Sequence, residues 1–485
     1  MRRRLTSRRV AAAVAGVFAA AVGALAALAE GSQTRRPQAG PDAVQLVLAE
    51  LGRVDDEPLQ RYADAVGQRV ARSAPSRGAS FRFFVVDQWT PNAFALPDGS
   101  IFVSRGILAL ASSEDELANV LAHEVVHVTE RHAIGRQAIT GSANPFVVGM
   151  ARAAYLAGFS RDQERDADTG GQTLAAAAGY DPRAMAEFLR KLEYAERLQL
   201  GASRIPTFFD THPSTAERAG TAHDRGARLA FTPRPGIARD GADYVRRLEG
   251  LAIDEDPAQG IFRGTRFLHP DLGFTIYFPD GWTPINTAQA VGAVTPRRDA
   301  RIALELAGDG DDPEAAASAF LRQHLEGGGA RIERSASITV GGRPAVETLL
   351  SVRTAAGVLL AQLTFVPLGG KVYAISTVAP AAAFGGYRGR AAATVRSLRA
   401  LDDAERRSIE VMRLRSFRAE AGETLEEASR RARNALDLQR TAVANGLFTE
   451  ATLQEGQVLK VAVTEPYRPA AAPRSAPPAV AAPAP

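Results

Sequence analysis

No cysteine occurs among the 485 residues, which excludes thiol catalysis, disulfide frameworks and Cys-based zinc sites and leaves His, Asp and Glu as the only strong metal ligands. Histidine is scarce as well. His123, His127, His132, His212, His223, His269 and His324 are the whole imidazole supply. Lysine stands only at Lys191, Lys371 and Lys460, so nearly all positive charge is arginine, scattered without the basic stripe that follows a nucleic-acid backbone. Setting aside the five arginines within residues 1–9 takes the formal net charge from +4 to −1. No nucleic-acid partner is expected.

Apolar material is plentiful: 46% of the chain is hydrophobic, enough for about three domains with real cores. Residues 1–29, "MRRRLTSRRVAAAVAGVFAAAVGALAALA", pair an arginine-rich start with an apolar run that ends in Ala27-Leu28-Ala29. This is the pattern of a secretory signal peptide with an A-x-A cleavage site. The apolar run 10–29 is also just long enough to serve as an uncleaved membrane anchor. Either way the chain is expected to act in the periplasm or cell envelope. No cysteine near the junction allows a lipoprotein.

The fold class expected is α+β and multidomain. Residues 41–251 read as a mostly helical domain around a short sheet, whose hairpin is "NAFALPDGSIFVS" with its turn at Pro97-Asp98-Gly99. Residues 254–260 read as a linker, and 261–401 as an α+β domain with an antiparallel sheet. Residues 409–464 form a small module of strand, two helices and strand. The end, 466–485, is a Pro/Ala tail too poor in large apolar side chains to pack.

Chemistry concentrates in "LANVLAHEVVHVTERH", 117–132. Residues four apart on a helix share a face, so His123 and His127 present two imidazoles to one cation. Glu124 is turned off that axis, where a general base belongs. The string is H-E-x-x-H. A hydrolytic zinc site needs a third protein ligand and an open position, and "RDQERDAD" offers Glu164 with Asp168 one turn later on the same face. A second carboxylate of that kind can hold a ligand imidazole from outside. His132 falls off the 123/127 face and is expected at the surface. The segment 133–160, apolar and small in its second half, is expected to form a helix that covers the site or faces lipid, too short to span a membrane.

With HExxH, the later ExxxD, "NAFALPDG" at 92–99 and "DTHPSTAER" at 210–218, the sequence resembles the gluzincin zinc metallopeptidases of the HtpX and CAAX prenyl endopeptidase family, in particular their periplasmic BepA/LoiP-like branch. The resemblance covers about residues 41–251. It implies one zinc ion per chain on His123, His127 and Glu164, with Glu124 as general base and Asp168 orienting a ligand. His212, in the T-H-P segment, is implied either as a donor to the oxyanion or as a plug closing over the metal. Arg218 supports the site or is an ordinary helix arginine. Asn92, Ala93 and Phe94 match a substrate-pairing edge strand, unless that strand is buried.

The 409–464 module resembles a LysM-type fold, apart from its arginine-rich middle and a first helix expected to be long. The resemblance implies peptidoglycan as a partner, against plain packing. The expected function is an exported metalloendopeptidase hydrolysing misfolded or misassembled envelope proteins, with outer-membrane assembly machinery as a further partner. The rival is a non-catalytic envelope chaperone or glycan-binding scaffold with a latent zinc site, which would have no use for Glu124.

Overall fold

The computed structural model describes residues 43–75, 80–132, 159–199, 212, 216–325, 330–354 and 357–469. The expected signal or anchor at 1–29, the helix expected within 133–158, the Thr211 and Pro213 neighbours of His212, and the tail from 470 onward lie outside the described residues. No helix of the described residues is long and apolar enough to cross a membrane. The architecture is mixed: helices pack with several largely antiparallel sheets.

The first sheet is three-stranded, in the order β1 (Arg82–Val86), β3 (Ser100–Ser104), β2 (Ala93–Ala95). β2 and β3 form the antiparallel hairpin expected from the Pro97-Asp98-Gly99 turn, where Gly99 takes a φ of 90°. β1 was not foreseen as the parallel neighbour of β3. β2 is thereby an edge strand, and one side of it lies against the Glu114–Thr129 helix.

That helix starts because Ser113 caps it, accepting from the Glu116 amide at 3.2 Å, and because three acids fill its first turn. Nearly every residue in it is buried. Its first residue, Glu114, accepts from the Tyr62 and Tyr180 hydroxyls at 3.1 and 2.9 Å and from the Ile237 and Ala238 amides. One buried carboxylate thus ties three other stretches of chain to the start of the HExxH helix. The Arg161–Ala178 helix begins in a capping box between Ser160 and Gln163 and ends at Gly179 in the left-handed region. Gly170 and Gly171 let it approach the HExxH helix closely: a Cβ on Gly171 would stand 3.0 Å from the His123 backbone nitrogen, and one on Gly170 2.9 Å from the Val126 side chain.

Farther along, a seven-stranded sheet runs β11 (Ala330–Val340), β12 (Arg343–Thr354), β13 (Gly357–Leu368), β14 (Lys371–Pro380), β10 (Arg301–Asp309), β9 (Ala290–Val294), β8 (Thr283–Asn286), and a four-stranded one β15 (Arg399–Ala400), β7 (Phe274–Tyr277), β6 (Arg266–His269), β5 (Ile261–Arg263), with helices at Pro313–Leu325 and Ala381–Ser397. The last unit has β16 (Glu410–Arg418), helices Leu425–Arg431 and Leu438–Asn445, and β17 (Val458–Pro466) antiparallel to β16. Its first helix is short, not long as expected: it stops before Arg433, whose φ is 52°.

This unit is joined to the first domain. β4 (Ala252–Ile253) pairs with β16, and Leu414 and Ala462 enter the same apolar core as Leu108, Leu121 and Tyr244. Lys460 is buried and its ammonium donates to the Ala109, Leu110 and Ala111 carbonyls at 2.8, 3.2 and 2.7 Å, closing the C-terminal end of the Arg105–Leu110 helix. Burial, with the charge of Lys191 adding to it, depresses the Lys460 pKa, yet three acceptors engage all three protons of the charged form. Lys191 pairs with Glu116 at 2.5 Å. Two of the three lysines in the chain are therefore spent on this seam.

Candidate metal centre

The two helices cross so that side chains far apart in sequence converge. One donor atom from each of His123, His127, Glu164 and His212 lies within 4.8 Å of every other, and all four residues are buried. His123 Nε2 is 3.0 Å from His127 Nε2 and 3.1 Å from His212 Nδ1. His212 Nδ1 is 2.9 Å from Glu164 Oε1, and His127 Nε2 is 3.5 Å from the same oxygen. Three ring nitrogens and a carboxylate gathered inside a protein form a donor set that a cation satisfies, and there is no thiolate among them to select a softer metal.

Around this set stands a ring of orienting groups. His123 Nδ1 is 3.0 Å from Asp168 Oδ1, which leaves Nε2 facing the centre. Arg218 holds Asp168 through Nε and Nη2, each at 2.7 Å, and reaches Glu164 Oε2 with Nη1 at 2.8 Å. Nη1 also lies 3.4 Å from the His212 carbonyl. Phe159 stacks on His127 with ring centroids 3.6 Å apart.

Glu124 is fully buried beside the set, and neither of its carboxylate oxygens has a hydrogen bond. His212 Nε2 stands 3.5 Å from its Oε1. Burial raises its pKa, against the opposing charges of His212 and His123. Burial also works to raise Glu164, but His212, His127 and His123 outweigh it and the carboxyl is held low. Asp168 is lowered too, since the hydrogen bonds from Arg218 and His123 overcome its burial. His127 falls well below the usual histidine range, chiefly through burial. For His123 the same burial is overcome by Asp168 and Glu164, and its pKa rises.

Of the residues singled out in the sequence, seven come together here: His123, Glu124, His127, Glu164, Asp168, His212 and Arg218. Asn92, Ala93 and Phe94 do not join the donor set. Ala93 and Phe94 lie on the edge strand β2, with Asn92 just before it, Asn92 and Ala93 buried and Phe94 half-buried. His132 corrects the expectation of a surface residue: it is 9% exposed, with Nδ1 3.0 Å from His127 Nδ1. The helix ends at Thr129, and Arg131 takes a φ of 56°, so the chain doubles back and the His132 amide donates to the His127 carbonyl at 3.0 Å. Helical spacing could not show this, because the position follows a left-handed residue that is not glycine.

Residues 57–225, which hold every member of the cluster, match the family model of Peptidase family M48. The beta-barrel assembly-enhancing protease of Escherichia coli K12 is 29% identical over 216 residues, 39% of this chain and 43% of that protein. The mitochondrial metalloendopeptidase OMA1 of Schizosaccharomyces pombe is 32% identical over 194 residues, 36% of this chain and 57% of that one. OMA1 of Arabidopsis thaliana is 33% identical over 178 residues, 34% and 36% of the two chains. The matched stretch thus spans between 36% and 57% of the length of these relatives.

Proposed function

We propose that this chain, which carries a Peptidase family M48 domain over residues 57–225, is an exported zinc metalloendopeptidase that cleaves peptide bonds of cell-envelope proteins. The observation that carries the reading is the buried convergence of His123, His127, Glu164 and His212 donor atoms next to a carboxylate, Glu124, that no hydrogen bond occupies. Zinc is the metal the donor set favours: two or three imidazoles and one carboxylate are the ligands of hydrolytic zinc sites.

His123, His127 and Glu164 would hold the ion, whose Lewis acidity polarises water and the scissile carbonyl. The residues of the chain supply the rest. Glu124 takes the proton of the attacking water on a carboxylate oxygen and passes it to the leaving amine nitrogen. Asp168 and Arg218 fix the His123 ring and the Glu164 carboxylate so that neither has to reorganise. The substrate backbone pairs with the edge of β2 that β3 does not take, in the segment Asn92-Ala93-Phe94, where the Asn92 amide and carbonyl are already engaged by Ser104, a mode that binds extended peptide with little regard for side chains.

His212 takes the plug role in the resting enzyme. Its Nδ1 belongs to the donor set and its Nε2 faces Glu124, so one ring fills the place where water and base would meet. The name of the Escherichia coli relative, beta-barrel assembly-enhancing protease, supports misassembled envelope proteins as substrates and outer-membrane assembly machinery as a partner. Residues 1–29 would provide export or anchoring to the periplasmic side. The 409–464 unit is a packing module in this reading, since the Lys460 end of β17 is spent on the first domain. Peptidoglycan binding by its free face is the competing LysM-like role.

The test is Glu124→Gln. The variant should bind zinc as wild type does while casein cleavage falls by at least about a hundredfold, the usual cost of a lost general base. Undiminished cleavage would refute the assignment.

A further inference from the structure

The outer nitrogens of the two HExxH histidines are held in different ways. His123 Nδ1 meets a carboxylate, Asp168. His127 Nδ1 meets a ring nitrogen, His132 Nδ1, at 3.0 Å. We propose that His132 is the positioning residue of His127, accepting the His127 Nδ1–H on its own Nδ1 and so aiming His127 Nε2 at the metal.

Proton count decides which ring donates. His127 Nε2 lies 3.0 Å from His123 Nε2 and 3.5 Å from Glu164 Oε1, so Nε2 is the ligating atom and its lone pair must be free. The proton of a neutral His127 then sits on Nδ1. Its partner there has to accept, which puts the His132 proton on Nε2 and leaves Nδ1 bare. Metal-ligating histidines regularly give their second N–H to such an acceptor, and losing it weakens the site.

Backbone geometry makes the contact a built one. The left-handed turn at Arg131 and the bond from the His132 amide to the His127 carbonyl fold the ring of His132 against that of His127. The His132 carbonyl is itself reached by the Gln163 side chain at 3.5 Å, next in sequence to Glu164. His132 therefore links the end of one ligand helix to the start of the other, and with Phe159 stacked on its face the His127 ring is held on two sides.

This rests on the metal-site reading above, and the experiment separates the two. Zinc affinity of the full-length protein would be measured by competition with a chelating dye for wild type, His132→Ala and His132→Asn. Failure of wild type to bind zinc would refute the metal site itself. Given binding, His132→Ala should weaken it roughly 10- to 100-fold, while His132→Asn, whose Oδ1 stands where Nδ1 stood, should stay within about threefold of wild type. Equal affinities for all three, or equal losses in Ala and Asn, would overturn the proposal, because only an acceptor role separates the two variants. Nitrogen-15 spectra of the zinc-loaded wild-type protein with labelled histidine give a check that needs no variant. His132 protonated on Nε2 supports the assignment, and His132 protonated on Nδ1 overturns it.

Discussion

Arg218 grips Asp168 at two points, Nε on Oδ2 and Nη2 on Oδ1, both at 2.7 Å and both out of solvent. The same guanidinium reaches Glu164 Oε2 at 2.8 Å. One planar fork thus braces the Glu164 carboxylate of the donor set and the Asp168 carboxylate that faces the His123 ring. A lysine is a point charge that cannot reproduce this geometry. Arg218→Lys should lower metal affinity by about 10- to 100-fold, measured by chelator competition. An unchanged affinity would make Arg218 an ordinary helix arginine.

How much of this was legible in the sequence follows from how local each relationship is. His123 with His127, and Glu164 with Asp168, are four apart on helices, so periodicity alone placed each pair on one face. Joining the two pairs rests on Gly170 and Gly171, whose missing side chains permit the close crossing, and glycines inside a helix do not announce what they approach. His132 escaped because the helical period ends three residues before it. Lys460 escaped too: a lone lysine in the alternating "VLKVAV" reads as a solvent-facing strand residue, whereas its stem crosses the seam and its ammonium closes a helix in another unit.

That seam supports a prediction on folding. Lys460→Met keeps an apolar stem but leaves the Ala109, Leu110 and Ala111 carbonyls without their shared donor, and orphaned buried acceptors cost about 1–3 kcal/mol or more when the lost donor is charged. The variant should lose stability on that scale. Amide exchange should rise together in Arg105–Leu110 and in β16 and β17, because one core serves both. Faster exchange confined to β16 and β17 would mean that the module unfolds independently.

A second stability prediction concerns Glu305 on β10 (Arg301–Asp309), 4% exposed, whose pKa burial pushes up to about 8 against the partial compensation of Arg301. The folded protein holds this proton more tightly than the unfolded chain, whose carboxyl titrates near 4.5. Stability from this group is complete below about pH 4.5 and is lost as pH rises from there to about 8. Glu305→Gln should flatten that part of the profile and stabilise the domain at pH 8 by a few kcal/mol. Urea melts followed through Trp282 at pH 5 and 8 give the comparison. The same pH slope in variant and wild type would place the ionised carboxylate comfortably in the fold.

His212 yields the prediction with the clearest sign. A residue that donates to the oxyanion has to stand clear of the ligand position and point a protonated nitrogen at the reacting carbonyl. Its loss then costs about 10²–10³ in rate. A plug does the reverse: it takes the ligand position itself and keeps water from the base. The ring of His212 has Nδ1 3.1 Å from His123 Nε2 and 2.9 Å from Glu164 Oε1, with Nε2 3.5 Å from Glu124 Oε1. Nδ1 is committed to the donor set and Nε2 is turned towards Glu124 in this arrangement. His212→Ala should therefore raise basal casein cleavage severalfold, while loss of a fourth donor weakens resting zinc affinity by about tenfold. The two readouts have to move in opposite directions, activity up and affinity down. Cleavage that fell about a hundredfold with affinity intact would assign His212 to the oxyanion instead.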